Sequence, residues 1–342
     1  MMIGDGSILD GLSTLTTEHP DKFKSMGGPT DPVPFYTIFT GMMLVQLFYW
    51  GTNQQIIQRA LGAKDLKEGQ KGLLLASFIK ILGPLIVVLP GIIAYHLFQG
   101  NLESADSAYP MLVKKVLPGA WVGFFGAVLF GAILSSFNSV LNSSVTLFGI
   151  DVYKEHINKN ADEKTIVKYG KTFGVFLAIA SMFIAPLIAN AGSLFDYLQE
   201  INGIYSIPIF SIIIVGYLTK RVPAIAAKIG LVSGCLLYIV SQFFMKDYFI
   251  NKALETAKAS GVTDQAALTL VEVQAYPHFL DVMAILFVLN IVIMLIIGKI
   301  KPREEPFLLQ YTKQVDITPW RYVKHTSVVI CLIVIGVYVY FA

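Results

Sequence analysis

One ammonium group stands out. The stretch Leu73–Gly91, "LLLASFIKILGPLIVVLPG", is apolar enough for a membrane helix except at Lys80. Holding a charge there costs at least ~2.5–3.5 kcal/mol on insertion scales. Lys80 lies about eight residues from the inner end of the expected span, so ~12 Å deep at 1.5 Å per residue. Either its four-carbon stem snorkels to the interface, or the ammonium faces a polar cavity between helices.

Three other runs carry polar side chains where packing alone does not demand them. In "VQLFYWGTNQQIIQRALGAKD", Gln46, Tyr49 and Trp50 follow i, i+3, i+4 spacing and share a helix face. Amide, phenol and indole together suit a hydroxylated ring: hydrogen bonds at its edge, stacking on its C–H face. An interfacial aromatic belt is the competing explanation. Gly51-Thr52-Asn53 follows at once and is suited to interrupting the helix. In "GAILSSFNSVLNSSVTLFGID", Ala132, Ser135 and Ser136 share a face. Two hydroxyls with nearby carbonyls offer the hard oxygen ligands an alkali cation takes, although small polar residues also serve helix packing in lipid. In "SLFDYLQEINGIYSIP", Gln199 lies a turn into its span and can supply a second amide, while Asp196 and Glu200 read as a solvated helix start.

Catalytic patterns are missing. The five histidines, His19, His96, His156, His278 and His325, are far apart, and no H-E-x-x-H occurs. "GLVSG" at 230–234 only loosely resembles an intramembrane protease motif and has no base to partner it. No enzyme is expected.

The elements that must position these groups are membrane helices. Of 342 residues 55% are hydrophobic and 14% charged, against about 25% charged in a soluble domain, and mean hydropathy is +0.64. No basic stripe with interleaved aromatics suggests nucleic acid. Cys235 and Cys331 sit in apolar runs, so no disulfide framework follows. Runs of about 20 apolar residues fall near 34–58, 72–97, 118–148, 169–190, 193–219, 222–245, 279–300 and 326–342, the fourth and fifth joined by a tight hairpin at "NAG". They are too long and too unalternating for barrel strands, so the fold is all-α with about eight transmembrane helices.

Most of the 26 Lys and Arg fall in loops that are cytoplasmic if the N-terminus lies outside. That orientation makes residues 1–33 a polar, loop-like extracellular segment and 246–278 an extracellular loop reading as a surface helix.

The blocks "FYWGTNQQIIQRALGAKDLKEGQKGLLLASFIKILGPLIVVLPGIIAY" and "AILSSFNSVLNSSVTLFGIDVYKEHI" resemble the sodium/solute symporter family, specifically its sodium–glucose and sodium–galactose cotransporter branch. The similarity runs from Pro34 to about Phe244. It implies a LeuT-type fold of two inverted repeats with sites at discontinuous helices near the midplane. Residues 34–219 would be second-repeat core helices, and 220–342 additional C-terminal helices. The resemblance implies that Tyr49 is the aromatic inner gate stacking on a sugar, with Trp50 beside it. It makes Lys80 and Gln199 sugar contacts, and Ala132, Ser135 and Ser136 sodium ligands. Gln46 stands where the bacterial galactose transporter has asparagine.

The implied function is sodium-coupled symport of a glucose- or galactose-like sugar across the plasma membrane, in bacteria the inner membrane. Sodium is the co-transported ion, a small sugar or polyol the substrate, and no nucleic acid is involved. Inositol, sialic acid or a non-transporting sensor are alternatives. First-repeat helices have no counterpart in this sequence, so the expectation is a C-terminal fragment, a split gene product or a mis-assigned start, unable to transport as it stands.

Overall fold

The computed structural model describes residues 7–29, 31, 33–99, 101–102, 104–188, 194–308 and 315–342. Among them there is no strand. In chain order the helices are α1 (Ile8–Glu18), α2 (Gly41–Gly51), α3 (Gln54–Leu61), α4 (Leu66–Lys80), α5 (Leu89–Phe98), α6 (Ala108–Val116), α7 (Gly119–Leu147), α8 (Glu163–Ile188), α9 (Leu194–Leu218), α10 (Ala224–Val240), α11 (Lys246–Ala259), α12 (Gln265–Ala275), α13 (Phe279–Ile300) and α14 (Val323–Tyr340). Among the described residues seven stretches are helical, long and apolar enough to cross a membrane. Outward-facing Phe176, Met182 and Phe183 are well over half exposed, as hydrocarbon-facing side chains should be.

The expected span at 34–58 is not one rod. It is a 3₁₀ segment, Phe35–Phe39, then α2 and α3 with a break at Thr52–Asn53. The Thr52 and Asn53 amides both turn back to the Phe48 carbonyl, at 2.9 and 3.1 Å. The Thr52 hydroxyl donates to the same oxygen at 2.8 Å. Three donors on one carbonyl end the helix there.

The span containing Lys80 starts earlier than expected, at Leu66, where Asp65 caps α4 by accepting from the Glu68 amide at 2.8 Å. Lys80 therefore lies near the middle of a 33-residue rod, Leu66–Phe98. The rod changes character just beyond it. Pro84 has no N–H to offer the Lys80 carbonyl, and a π-helical turn, Pro84–Val88, follows. Further π turns extend α7 through Phe148–Ile157 and α10 through Ser241–Met245.

Two more expectations need correction. Residues 1–33 are not wholly loop-like. Ser7 caps α1 by accepting from the Asp10 amide at 3.0 Å, and its hydroxyl donates to the Asp10 carboxylate at 2.6 Å, the reciprocal pairing that starts a helix. Leu15 of α1 is buried against Ile92. The segment 246–278 is two helices, α11 and α12, because Gly261 adopts φ +86° between them and Asp264 caps α12. The hairpin expected at "NAG" lies outside the described residues.

The chain forms two compact units. The first comprises the N-terminal segment to Lys24, Gln54–Leu194 and Val315–Tyr340; the second, Ser25–Asn53, Phe195–Gln314 and the last two residues. In the first, α7 and α8 pack through stacked rings, Phe148 on Phe173 at 4.0 Å and Tyr153 on Tyr169 at 4.5 Å. In the second, α2, α9, α10 and α13 share a core of Val45, Ile207, Tyr238, Leu280 and Met283. Glycines set its closest approaches: a Cβ on Gly41 would strike the Leu280 carbonyl, and one on Gly203 the Tyr238 and Met283 side chains.

Candidate functional site

The eight residues singled out in the sequence divide between the units. Gln46, Tyr49, Trp50 and Gln199 belong to the second; Lys80, Ala132, Ser135 and Ser136 to the first.

In the second unit α2 carries a connected polar-aromatic edge. Trp50 donates its indole N–H to Gln46 Oε1 at 3.0 Å, one helical turn back. The Tyr49 and Trp50 rings meet edge-to-face at 5.4 Å and 83°. Tyr49 and Trp50 remain 36% and 39% exposed, so ring faces are available to a ligand. Phe48 does the packing instead: it is buried and meets the Tyr205 ring of α9 at 6.1 Å. A single helix presents amide, indole and phenol together, and the i, i+4 spacing lets Gln46 and Trp50 hydrogen-bond.

Gln199 is half-buried in the first turns of α9. Its neighbour Glu200 departs from the expectation of a solvated helix start. Its carboxylate accepts from Lys246 at 3.1 Å, and its carbonyl accepts from the Tyr238 hydroxyl at 2.9 Å. The Asp196 side chain lies outside the described residues.

In the first unit Lys80 is exposed at the end of α4, beside the Pro84 irregularity. Ala132, Ser135 and Ser136 are exposed on one face of α7. The helix holding Lys80 packs on α3 and α14, whereas α7 packs on α3, α6 and α8. Within this unit the lysine and the hydroxyl pair are thus on separate helices that share α3 as a neighbour.

α3 is bolted to α7 by side chains that the sequence does not single out. Gln58 donates to the Ser139 carbonyl at 3.4 Å and accepts from Asn142 at 3.4 Å, while Arg59 donates to the Ser139 hydroxyl. Ser139 in turn donates to the Ser135 carbonyl at 3.1 Å. The hydrogen-bonded chain therefore runs from the far side of the helix break to the face holding the proposed ion ligands.

A second missed group is a buried polar line in the second unit. Asn290 donates to the Ser211 hydroxyl at 2.7 Å, and Ser211 donates to the Pro208 carbonyl at 2.7 Å. The same unit has an open cleft of about 670 Å³ whose lining includes Asp31, Tyr36, Lys246, Glu272 and Asp281. None of the eight lines it.

A set of long apolar helices, with one interrupted beside aromatic and amide side chains, is the architecture of a multi-pass membrane protein. Comparison with known proteins makes the class specific. A model described as "Sodium:solute symporter family" matches residues 6–234, and the chain belongs to that family. It is 46% identical to the "Uncharacterized symporter YidK" of Escherichia coli (strain K12), over 98% of this chain and 54% of that protein. It is 36% identical to a sodium/glucose cotransporter of Vibrio parahaemolyticus, over 68% of this chain and 47% of the relative. Against sodium/myo-inositol cotransporter 2 of Homo sapiens it is 33% identical, over 62% and 34% respectively. The chain thus spans about half the length, or less, of these curated relatives. The family and these relatives are transporters, not enzymes.

Proposed function

We propose that the chain supplies the α2 gate and one set of ion ligands to a sodium-driven symporter of a neutral sugar or related polyol, acting in the plasma membrane. The observation that carries the reading is the interrupted α2–α3 helix. Gln46, Tyr49 and Trp50 stand immediately before its break at Thr52–Asn53.

Tyr49 stacks on the C–H face of the sugar, and Gln46 and Gln199 meet ring hydroxyls. By the family resemblance Lys80 is a further sugar contact, one that donates to a hydroxyl without neutralising a substrate charge. Ala132 contributes its carbonyl, and Ser135 and Ser136 contribute hydroxyls, to one sodium ion. A monovalent ion on neutral oxygens is held loosely enough to be released on the other side. Sodium binding favours the outward-open state, substrate completes the cavity, and rocking of one bundle opens it inward. The Gln58–Ser139–Asn142 and Arg59–Ser139 bonds give ion occupancy on α7 a mechanical route to α3.

A polyol such as inositol is the second reading, favoured by the named human relative. The test is uptake of labelled galactose by cells expressing the complete reading frame, with sodium replaced by potassium and with glucose, myo-inositol and sialic acid as competitors. Sodium-dependent galactose uptake blocked best by hexoses supports the proposal. Inhibition by myo-inositol alone moves it to the polyol, and uptake indifferent to sodium refutes it.

A further inference from the structure

Away from the α2 edge, the first unit gathers three metal-ligating side chains from two distant stretches. Glu18 ends α1, His19 caps it, and His96 lies near the end of α5, 77 residues further on. His19 Nε2 and His96 Nδ1 are 3.1 Å apart, and the Glu18 carboxylate oxygen is 3.4 Å from the same His96 nitrogen. All three ligand atoms lie within 4.8 Å of one another.

Without a metal these distances make a hydrogen bond between the imidazoles and an ion pair to the carboxylate, and the same spacing suits a shared metal ion. Two ligands at ~2.0–2.1 Å from a tetrahedral zinc stand ~3.3–3.4 Å apart. The two edges of the triangle, 3.1 and 3.4 Å, lie close to that value. Both imidazoles are half-buried, and the carboxylate is about half exposed, leaving a fourth position open to water. His19 is fixed edge-to-face against Tyr95 at 5.3 Å. Beneath the cluster, Leu15 and Ile92 pack with Phe23, Leu89, Ile93 and Leu97, so the ligands are carried by two helices already held together. Lys22 lies over the Tyr95 ring at 4.9 Å and pairs with Asp21 at 3.2 Å.

We propose that Glu18, His19 and His96 form a binding site for a borderline divalent transition metal, zinc foremost, that clips the end of α1 to the end of α5. Two neutral imidazoles and one carboxylate suit zinc, nickel or copper and disfavour magnesium and calcium, which take oxygen ligands. In the orientation proposed above, the site faces the extracellular medium. Metal and protons compete for the same ring nitrogens, so binding weakens in acid.

The test uses the full chain purified in detergent and stripped with a chelator, with cobalt alone as the spectroscopic probe and zinc as competitor. One equivalent of cobalt should give the visible absorption of a four-coordinate site, erased by zinc and not by magnesium, and zinc should raise the thermal midpoint. His96→Gln and Glu18→Gln keep side-chain size, and the second alters only a half-exposed group. Each should weaken binding beyond the ~10–100-fold that loss of a supporting partner costs, and should remove the zinc-induced rise. No four-coordinate spectrum, or a spectrum retained in both variants, overturns the site. Neither result bears on sodium-dependent uptake, which tests the transport reading separately.

Discussion

Gly41→Ala isolates how tightly α2 must approach α13. Gly41 is buried at the start of α2, and an added Cβ would lie 2.7 Å from Leu280 Cα and closer still to the Leu280 carbonyl. The obstacle is backbone at the head of α13, with no rotamer to swing aside, so one helix must move. Overpacking of this kind costs ~1–3 kcal/mol, and rigid backbone argues for the upper part of that range. Alanine offsets up to ~1 kcal/mol through helix propensity, leaving a net loss of about 1–2 kcal/mol. Gly51→Ala on the same helix is the control, because a Cβ there meets nothing within 4 Å. Thermal unfolding in detergent, followed by helical circular dichroism, should show Gly41→Ala melting below the parent protein and Gly51→Ala at or above it. Equal midpoints for the two variants would refute the close-approach argument. The displacement should also weaken sugar binding, since Gln46, Tyr49 and Trp50 ride on α2.

Ser211→Ala should cost about 1–2 kcal/mol in the same assay, because it strands the buried Asn290 amide. Adding Asn290→Leu should recover most of the loss, since Asn290 Oδ1 already lacks a partner, and a double variant no better than the single would count against that reasoning. Lys80→Ala should raise the half-saturating sugar concentration about tenfold or more, the worth of a charged hydrogen bond, with expression unchanged; unaltered sugar affinity would restore snorkelling as its explanation. Ser136→Ala should raise the sodium concentration needed for half-maximal uptake several-fold, and an unaltered sodium dependence would remove it from the ion site.

Class and element type were legible because hydropathy is a local property: an apolar run such as 279–300 appears in the structure as Phe279–Ile300. What sequence reading lost were features set by hydrogen-bond register or by distant contacts. The break after Gly51 was visible in Thr52-Asn53, yet the π turns at Pro84–Val88 and Phe148–Ile157 leave no trace in hydropathy. α1 was legible in principle through the Ser7–Asp10 capping pair, but the surrounding polar composition masked it. The spacing of Gln46 and Trp50 put them on one helix face, and the structure adds the hydrogen bond between them. His19 and His96 offered no such cue: each looks solitary in sequence, and only the packing of α1 on α5 joins them.

The most direct measurement of the central claim is equilibrium binding of labelled galactose to purified protein from the complete reading frame, in sodium and then in potassium, for the parent and for Tyr49→Ala. The account predicts binding that needs sodium and is lost in the variant. Binding of equal strength in both salts, or undiminished without the Tyr49 ring, would contradict it.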